Sequence, residues 1–347
     1  MPEVFVLSIE LTTECPLRCP FCYARPRHRS RDRWSAEELR ALAREVREIF
    51  GPGSFVMVYG GGEPTTCPEL LGEALRIALD EGSLYTSFTT DAALLDRDTT
   101  RRIEERVGGA LAAPQGFATL SIDGYKLVAG PRGDPRRIDP ALLEAWREAR
   151  PLLTFAARRW GVELPEEPPR VLEVATLLWE RGWDYTLNIM VTNDLLPLLD
   201  PPLPDQPEPS PGMALIYGLA RRALQIQFLA PKPLRGLLSI RQLPGARYGG
   251  PALGSVLRTA LWWASRGPCR LAADQAMARI LGLEVPGAEP GRFCAAGRRL
   301  VSLDPHRMAA PCSFAPHTKR WKPGRLGEIL EAFRDAAPRL VEGCPYL

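Results

Sequence analysis

Val4-Phe5-Val6-Leu7-Ser8-Ile9-Glu10-Leu11, closely followed by Cys15-Pro16-Leu17-Arg18-Cys19-Pro20-Phe21-Cys22, is the stretch from which the rest of the 347-residue chain is read. The first eight residues, rich in β-branched and aliphatic side chains, predict a buried strand. The prolines and Arg18 make the second segment a loop rather than a core strand. Three thiols on one short loop suit soft metal centres, iron–sulfur clusters and zinc above all. Structural zinc takes four ligands, and the spacing Cys15-x3-Cys19-x2-Cys22 supplies three, with His28 the nearest further nitrogen in an Arg-rich segment. A 4Fe–4S cube normally takes four cysteines. Three leave one iron open, which is what a reactive cluster needs.

Outward from this loop, strand and helix alternate. Ser35-Ala36-Glu37-Glu38 is a capping box, opening a helix with an apolar stripe of Leu39, Leu42, Val46 and Ile49. Ser54 to Tyr59 reads as a second strand running into Gly60-Gly61-Gly62, with a helix from about Pro68 to Glu81 behind it. Leu84–Thr89, Phe117–Ile122, Tyr185–Val191 and Leu224–Leu229 read as four further strands. Such alternation predicts a parallel sheet with right-handed crossovers. Six strands predict an α/β fold of the partial (β/α)6 barrel kind, with its site at the strands' C-terminal ends. Residues 131–183 carry more helix than one crossover needs, the proline-dense stretch 197–211 reads as a rigid connector, and a helical segment from Gly254 to Ser265 closes the barrel. The division expected is 1–240 for the barrel and 241–347 for the closing helix plus a small cysteine-bearing domain.

Composition narrows the class. Hydrophobic residues at 45% and charged residues at 24% are ordinary for a globular protein. No apolar run is long enough to span a bilayer, and the first residues show no signal-peptide pattern, so a cytoplasmic location is expected. A net charge of +3 is too small to point to nucleic acid. Nearly all the positive charge is Arg, which leaves exposed guanidinium clusters able to grip acidic groups. Eight cysteines without a secretion signal favour metal or redox chemistry over disulfides. They fall as Cys15, Cys19 and Cys22; Cys67 alone, read as a buried spare thiol; and Cys269, Cys294, Cys312 and Cys344.

Cys-Pro-Leu-Arg-Cys-Pro-Phe-Cys-Tyr resembles the signature of the radical S-adenosylmethionine (SAM) superfamily. The resemblance implies that the open iron is chelated by the amino and carboxylate groups of SAM, and that an electron from the cluster cleaves SAM to methionine and a 5′-deoxyadenosyl radical, delivered by a donor such as ferredoxin or flavodoxin. Phe21 would sit near the adenine. Gly61-Gly62-Glu63-Pro64 resembles the family's GGEP motif: its glycines would let backbone approach the ligand and Glu63 would take a charge-assisted hydrogen bond from the methionine amino group. Leu120-Ser121-Ile122-Asp123-Gly124 resembles the S-[IL]-D-G segment, with Ser121 reaching the SAM carboxylate or ribose and Asp123 ordering the turn. Asn188, polar within an apolar run, is a further candidate SAM contact. Thr90-Asp91-Ala92 replaces the usual Thr-Asn-Gly, so Thr90 enters on position alone, and no G-x-I-x-G-x-x-E pattern appears on the fifth strand.

Cys294 to Cys312 reads as a hairpin, with Leu300–Leu303 outward, Asp304-Pro305 at the turn and Met308–Pro311 returning. It resembles the C-x-x-G…D-P…P-C pattern of SPASM and twitch domains, with Arg307 in place of a common turn glycine. The resemblance implies an auxiliary 4Fe–4S cluster on Cys269, Cys294, Cys312 and Cys344, against which stands a structural zinc on the same thiolates. The functional expectation is a radical SAM oxidoreductase or maturase that abstracts a substrate hydrogen, the substrate being a peptide or, alternatively, a sugar, nucleotide or cofactor precursor. Peptide maturases often carry an N-terminal recognition domain, and a barrel beginning at residue 4 is expected to lower the peptide reading without removing it. The reading from another class is an iron–sulfur electron carrier or structural metal protein, for which the GGEP and S-I-D-G segments have no use. No membrane partner is expected, and no residue is singled out as the one performing the hydrogen abstraction.

Overall fold

The computed structural model describes residues 4–17, 19, 20, 22, 31–192, 194–199, 210–229, 258, 259, 263, 267–273, 297–312, 315 and 317–342, with side chains described up to 336. Phe21, His28, Cys294 and Cys344 lie outside them, as do most of the proline-dense connector and of the segment Gly254–Ser265.

In chain order the elements are β1 (Phe5–Thr12), α1 (Ala36–Phe50), β2 (Phe55–Gly61), α2 (Pro68–Asp80), β3 (Thr86–Thr90), α3 (Arg97–Val107), β4 (Gly116–Ile122), α4 (Gly124–Ala129), α5 (Pro140–Ala149), α6 (Thr154–Trp160), α7 (Arg170–Arg181), β5 (Tyr185–Met190), α8 (Pro211–Ala220), β6 (Gln225–Leu229), β7 (Arg270–Ala273), β8 (Leu300–Leu303), β9 (Met308–Ala310), β10 (Lys319–Arg320) and α9 (Leu326–Glu342). The predicted capping box is in place: the Ser35 hydroxyl accepts from the Glu38 amide while Glu38 Oε2 accepts from the Ser35 amide. Leu39, Leu42, Ala43 and Val46 form the buried stripe of α1. Ile49, assigned to that stripe from sequence, is 43% exposed on the last turn instead.

All strands lie in one sheet of order β10-β9-β8-β1-β2-β3-β4-β5-β6-β7. From β8 through β1 to β7 every pair is parallel. This is the sequential order of a (β/α) barrel, but among the described residues β7 and β8 do not pair, so the barrel stays open along one seam. Two features exceed the six-strand expectation. Strand β7, four residues without a β-branched side chain, gives almost no local signal. The C-terminal hairpin strand β8 joins the main sheet alongside β1 rather than standing apart from it.

Side chains alternate along these strands with the two-residue period of a pleated sheet. One set, including Leu7, Ile9, Met57, Tyr59, Phe88, Ala118, Leu120, Leu187, Ile189, Ile226 and Phe228, is at most 1% exposed in the hydrophobic core. The other set is largely polar: Ser8 and Glu10, Ser87 and Thr89, Thr119 and Ser121, Thr186 and Asn188, Gln225 and Gln227. The fold therefore presents a row of hydrogen-bonding groups on the face opposite its apolar layer, and that face carries the site.

Candidate active site

The cysteine loop is pinched at its base. Thr13 N donates to Asp32 O at 2.9 Å, Trp34 N donates to Leu11 O at 3.2 Å, and Thr12 bridges Arg33. Within it, Cys22 N donates to Cys19 O at 3.1 Å, turning the second and third thiols onto one side. The loop after β2 docks directly on this one: Gly62 N donates to Thr12 O at 2.8 Å and Glu63 N to Glu14 O at 2.7 Å.

The glycines explain that docking. A Cβ on Gly61 would lie 2.5 Å from the Cβ of Glu10, and one on Gly62 would lie 2.2 Å from the Glu14 carbonyl oxygen. Their smallness serves the close approach of the two loops, a role distinct from the predicted approach to a ligand. The glycine that faces open space is Gly60, where an added Cβ meets nothing within 4 Å.

A cavity of about 260 Å³ lies at the C-terminal ends of the strands, lined by Cys15, Cys19 and Cys22 together with Gly60, Gly61, Gly62, Glu63, Thr90, Asp91, Ser121, Lys126 and Asn188. The structure thus gathers nine sequence-selected positions into one space: Cys15, Cys19, Cys22, Gly61, Gly62, Glu63, Thr90, Ser121 and Asn188. Asp123 is not in its lining. It caps α4, accepting from Lys126 N at 2.8 Å, and pairs with Lys126 Nζ at 3.3 Å; the turn-ordering role matches this geometry.

Glu63 is 1% exposed, and donors hold both of its oxygens. Oε1 accepts from Thr65 N at 3.1 Å, Thr65 Oγ1 at 2.6 Å and Thr90 Oγ1 at 2.9 Å, while Oε2 accepts from Asp91 N at 2.7 Å. Thr90 Oγ1 also accepts from Ala92 N at 3.0 Å, so its hydroxyl is engaged in holding Glu63. Burial, reinforced by the neighbouring Asp91 carboxylate, pushes the Glu63 carboxyl up to about 8. Asp91 also accepts a long contact from Cys15 Sγ at 3.6 Å.

At the other side of the cavity Lys126 Nζ donates to Ser121 Oγ at 2.8 Å. With one of its two lone pairs so used, the Ser121 hydroxyl still carries a proton to donate. The cavity therefore has an acidic pole, Glu63 and Asp91, and a donor pole, Lys126 and Ser121. Burial pushes the Cys19 thiol up to about 12, against the opposing pull of the Lys126 ammonium, and burial likewise raises Cys15. Among the described residues no three His, Cys, Asp or Glu side chains converge on a single metal ion. Cys15, Cys19 and Cys22 line one cavity, where a cube could take one iron on each thiolate.

A second cavity, of about 660 Å³, continues along the same face toward the strands' N-terminal ends and shares Val58, Thr89 and Asn188 with the first. Tyr85, Thr119, Thr186, Gln225, Gln227 and Arg270 also line it. At that end lie Cys269, just before β7, and Cys312, just beyond β9, where Gly297 N donates to Pro311 O at 2.9 Å. Neither forms a disulfide, and Cys269 packs against the apolar core rather than lining this cavity. Cys67 is buried, its Sγ 3.5 Å from Pro64 O, and burial raises it to about 11; it does not line the first cavity.

Sequence reasoning missed Lys126, Glu10 and Asp91 as lining residues. Glu10 had a signal: with Ser8 it breaks an apolar strand at alternate positions. Lys126 had a weaker one, a lysine three residues after Asp123 in a chain that uses almost none.

Residues 9–126 match the family model of the Radical SAM superfamily. That segment, about a third of the chain, is similar to the radical SAM domain of that superfamily. A PqqA peptide cyclase of Methylorubrum populi is 33% identical over 170 residues, which is 48% of this chain and 38% of that protein. A PqqA peptide cyclase of Rhodopseudomonas palustris is 37% identical over 92 residues, 26% of this chain and 23% of that protein. The matched part thus spans well under half the length of these relatives. Streptococcus suis SuiB, solved bound to S-adenosylmethionine, shares the fold with a TM-score of 0.56 at 13% identity, over 96% of this chain and 64% of that one. No helix among the described residues is long and apolar enough to cross a membrane.

Proposed function

We propose that the chain is a radical SAM enzyme that modifies a peptide. The observation that carries the reading is the single cavity in which Cys15, Cys19 and Cys22 meet the loop Gly60–Glu63 and the strand-end residues Thr90, Ser121 and Asn188. On this reading Cys15, Cys19 and Cys22 hold a 4Fe–4S cluster with one iron left for SAM. When bound, the cluster and SAM supply the 5′-deoxyadenosyl radical that takes a hydrogen atom from the substrate. The chain's own residues do the placing. Glu63, fixed by Thr65, Thr90 and Asp91, offers a carboxylate to the SAM ammonium; Ser121, its hydroxyl turned outward by Lys126, donates to the SAM carboxylate. Gly60 leaves room beside them. Phe21, on the same loop, is assigned to the adenine from the motif alone.

The substrate is assigned to the second cavity, whose hydroxyls and amides can pair with peptide groups. Support for a peptide comes from the relatives, which are peptide cyclases by name. Cys269, Cys294, Cys312 and Cys344 are assigned to an auxiliary 4Fe–4S cluster of the SPASM or twitch kind; the position of Cys269 and Cys312 toward the N-terminal ends of the parallel strands supports it. An electron donor such as ferredoxin or flavodoxin completes the system, and described cysteines that form no disulfide suit a reducing compartment such as the cytoplasm.

Anaerobic incubation of the reconstituted protein with SAM, a reductant and deuterated peptides tests this reading. Deuterium should appear in 5′-deoxyadenosine. Label arriving only from a sugar or nucleotide would replace the peptide with a small molecule.

A further inference from the structure

Lys126 is a buried cation in a chain that takes nearly all its positive charge from arginine. Its side chain is 15% exposed and lines the cavity beside Cys19 and Ser121. Its partner Asp123 is 1% exposed, 3.3 Å away, and stands behind it, outside the cavity lining. The two charges form a dipole whose positive end lies on the cavity that the three thiols line. Burial opposes the ammonium, yet the Asp123 carboxylate at 3.3 Å holds it protonated. A unit charge in a poorly solvated site acts on its neighbours far more strongly than one in water.

We propose that the Asp123–Lys126 pair is an electrostatic poise for the cluster on Cys15, Cys19 and Cys22, its ammonium favouring the reduced state. This rests on the reading that those cysteines hold a cluster. An added electron on the cluster is attracted by Lys126 and repelled, from further off, by Asp123. Lys126 is thus a positioning residue, acting through the field it lays across the site and through its hold on Ser121. The sign separates this role from mere packing: removing the ammonium must make reduction harder, and removing the carboxylate must make it easier.

The test is a potentiometric titration of reconstituted protein, followed by the paramagnetic signal that responds to SAM. Lys126→Met should shift the midpoint to more negative potential, Lys126→Arg should keep it close to wild type, and Asp123→Asn should shift it to more positive potential. Asparagine is itself a good helix cap, so Asp123→Asn keeps the α4 turn and decides the matter if Lys126→Met fails to take up iron. Unchanged midpoints at wild-type iron content, or shifts of one sign in both charge-removing variants, would overturn the proposal and leave the functional reading standing. A wild-type protein that takes up no SAM-responsive cluster would sink both.

Discussion

At the C-terminal ends of the parallel strands, Cys15, Cys19 and Cys22 come from one loop, pinned at Thr13–Asp32 and overlaid by the loop Gly60–Glu63. At the N-terminal ends, Cys269 and Cys312 come from strands on either side of the open seam, separated by a long stretch of chain. The upper group is assembled locally, so its spacing is its signature. The lower group depends on which strands the barrel brings to its seam, and spacing alone says little about it. Between the two ends of the strands runs one polar face, lined by the two cavities.

Replacing Cys15, Cys19 and Cys22 together by Ala gives the largest effect. Iron content in anaerobically reconstituted protein should fall from about eight to about four per chain, with the remaining iron insensitive to SAM. Iron falling to zero would mean that the lower group holds none. Cys312→Ser sharpens the comparison from the other end: turnover of substrate should be lost while SAM cleavage continues. Stoichiometric zinc in the triple variant would make the lower site structural.

Within the upper site, Glu63→Gln should weaken SAM binding by roughly 1.5–3 kcal/mol, the worth of a charge-assisted hydrogen bond, with iron content unchanged. The same residue gives metal-free protein a pH dependence. Its folded carboxyl is raised to about 8, above the unfolded value, so the folded state binds more protons in that window. Stability contributed by the protonated form is therefore complete at low pH and is lost as pH rises toward 8. Thermal melts from pH 5 to 8 should show this slope in wild type and a flatter one in Glu63→Gln.

The smallest effect concerns the hairpin turn. Arg307 has φ of 63°, stacks 5.1 Å over Trp34, and its Nε donates to Glu38 Oε1 at 2.7 Å. That hydrogen bond is the main reason the Glu38 carboxyl is lowered to about 2. Arg307→Ala keeps the backbone strain and loses both contacts, whereas Arg307→Gly loses the contacts but relieves the strain. Chemical denaturation should place Arg307→Ala lower by about 1 kcal/mol than Arg307→Gly.

The sequence made the upper site legible because its parts are short-range: three thiols on a loop, a capping box at Ser35, a strand ending in glycines. Ala92 and Arg307 looked like departures from the family pattern. They are the non-glycine residues with positive φ among those described, at 69° and 63°, so the backbone keeps the glycine conformation after the side chain has changed. The polar face was written in the sequence as alternate polar residues within apolar strands, each of which looked incidental alone. Strand β7 and the pairing of β8 with β1 were hidden, since both depend on long-range strand pairing rather than local propensity. Lys126 was hidden too, because burial reverses what a lone lysine normally signifies.

Reductive cleavage of SAM puts the upper site to the most direct test. Anaerobically reconstituted protein with dithionite and SAM should release 5′-deoxyadenosine and methionine, and the Cys15, Cys19 and Cys22 triple variant should release none. Iron-loaded wild type that yields no 5′-deoxyadenosine, or a triple variant that still yields it, would contradict the account.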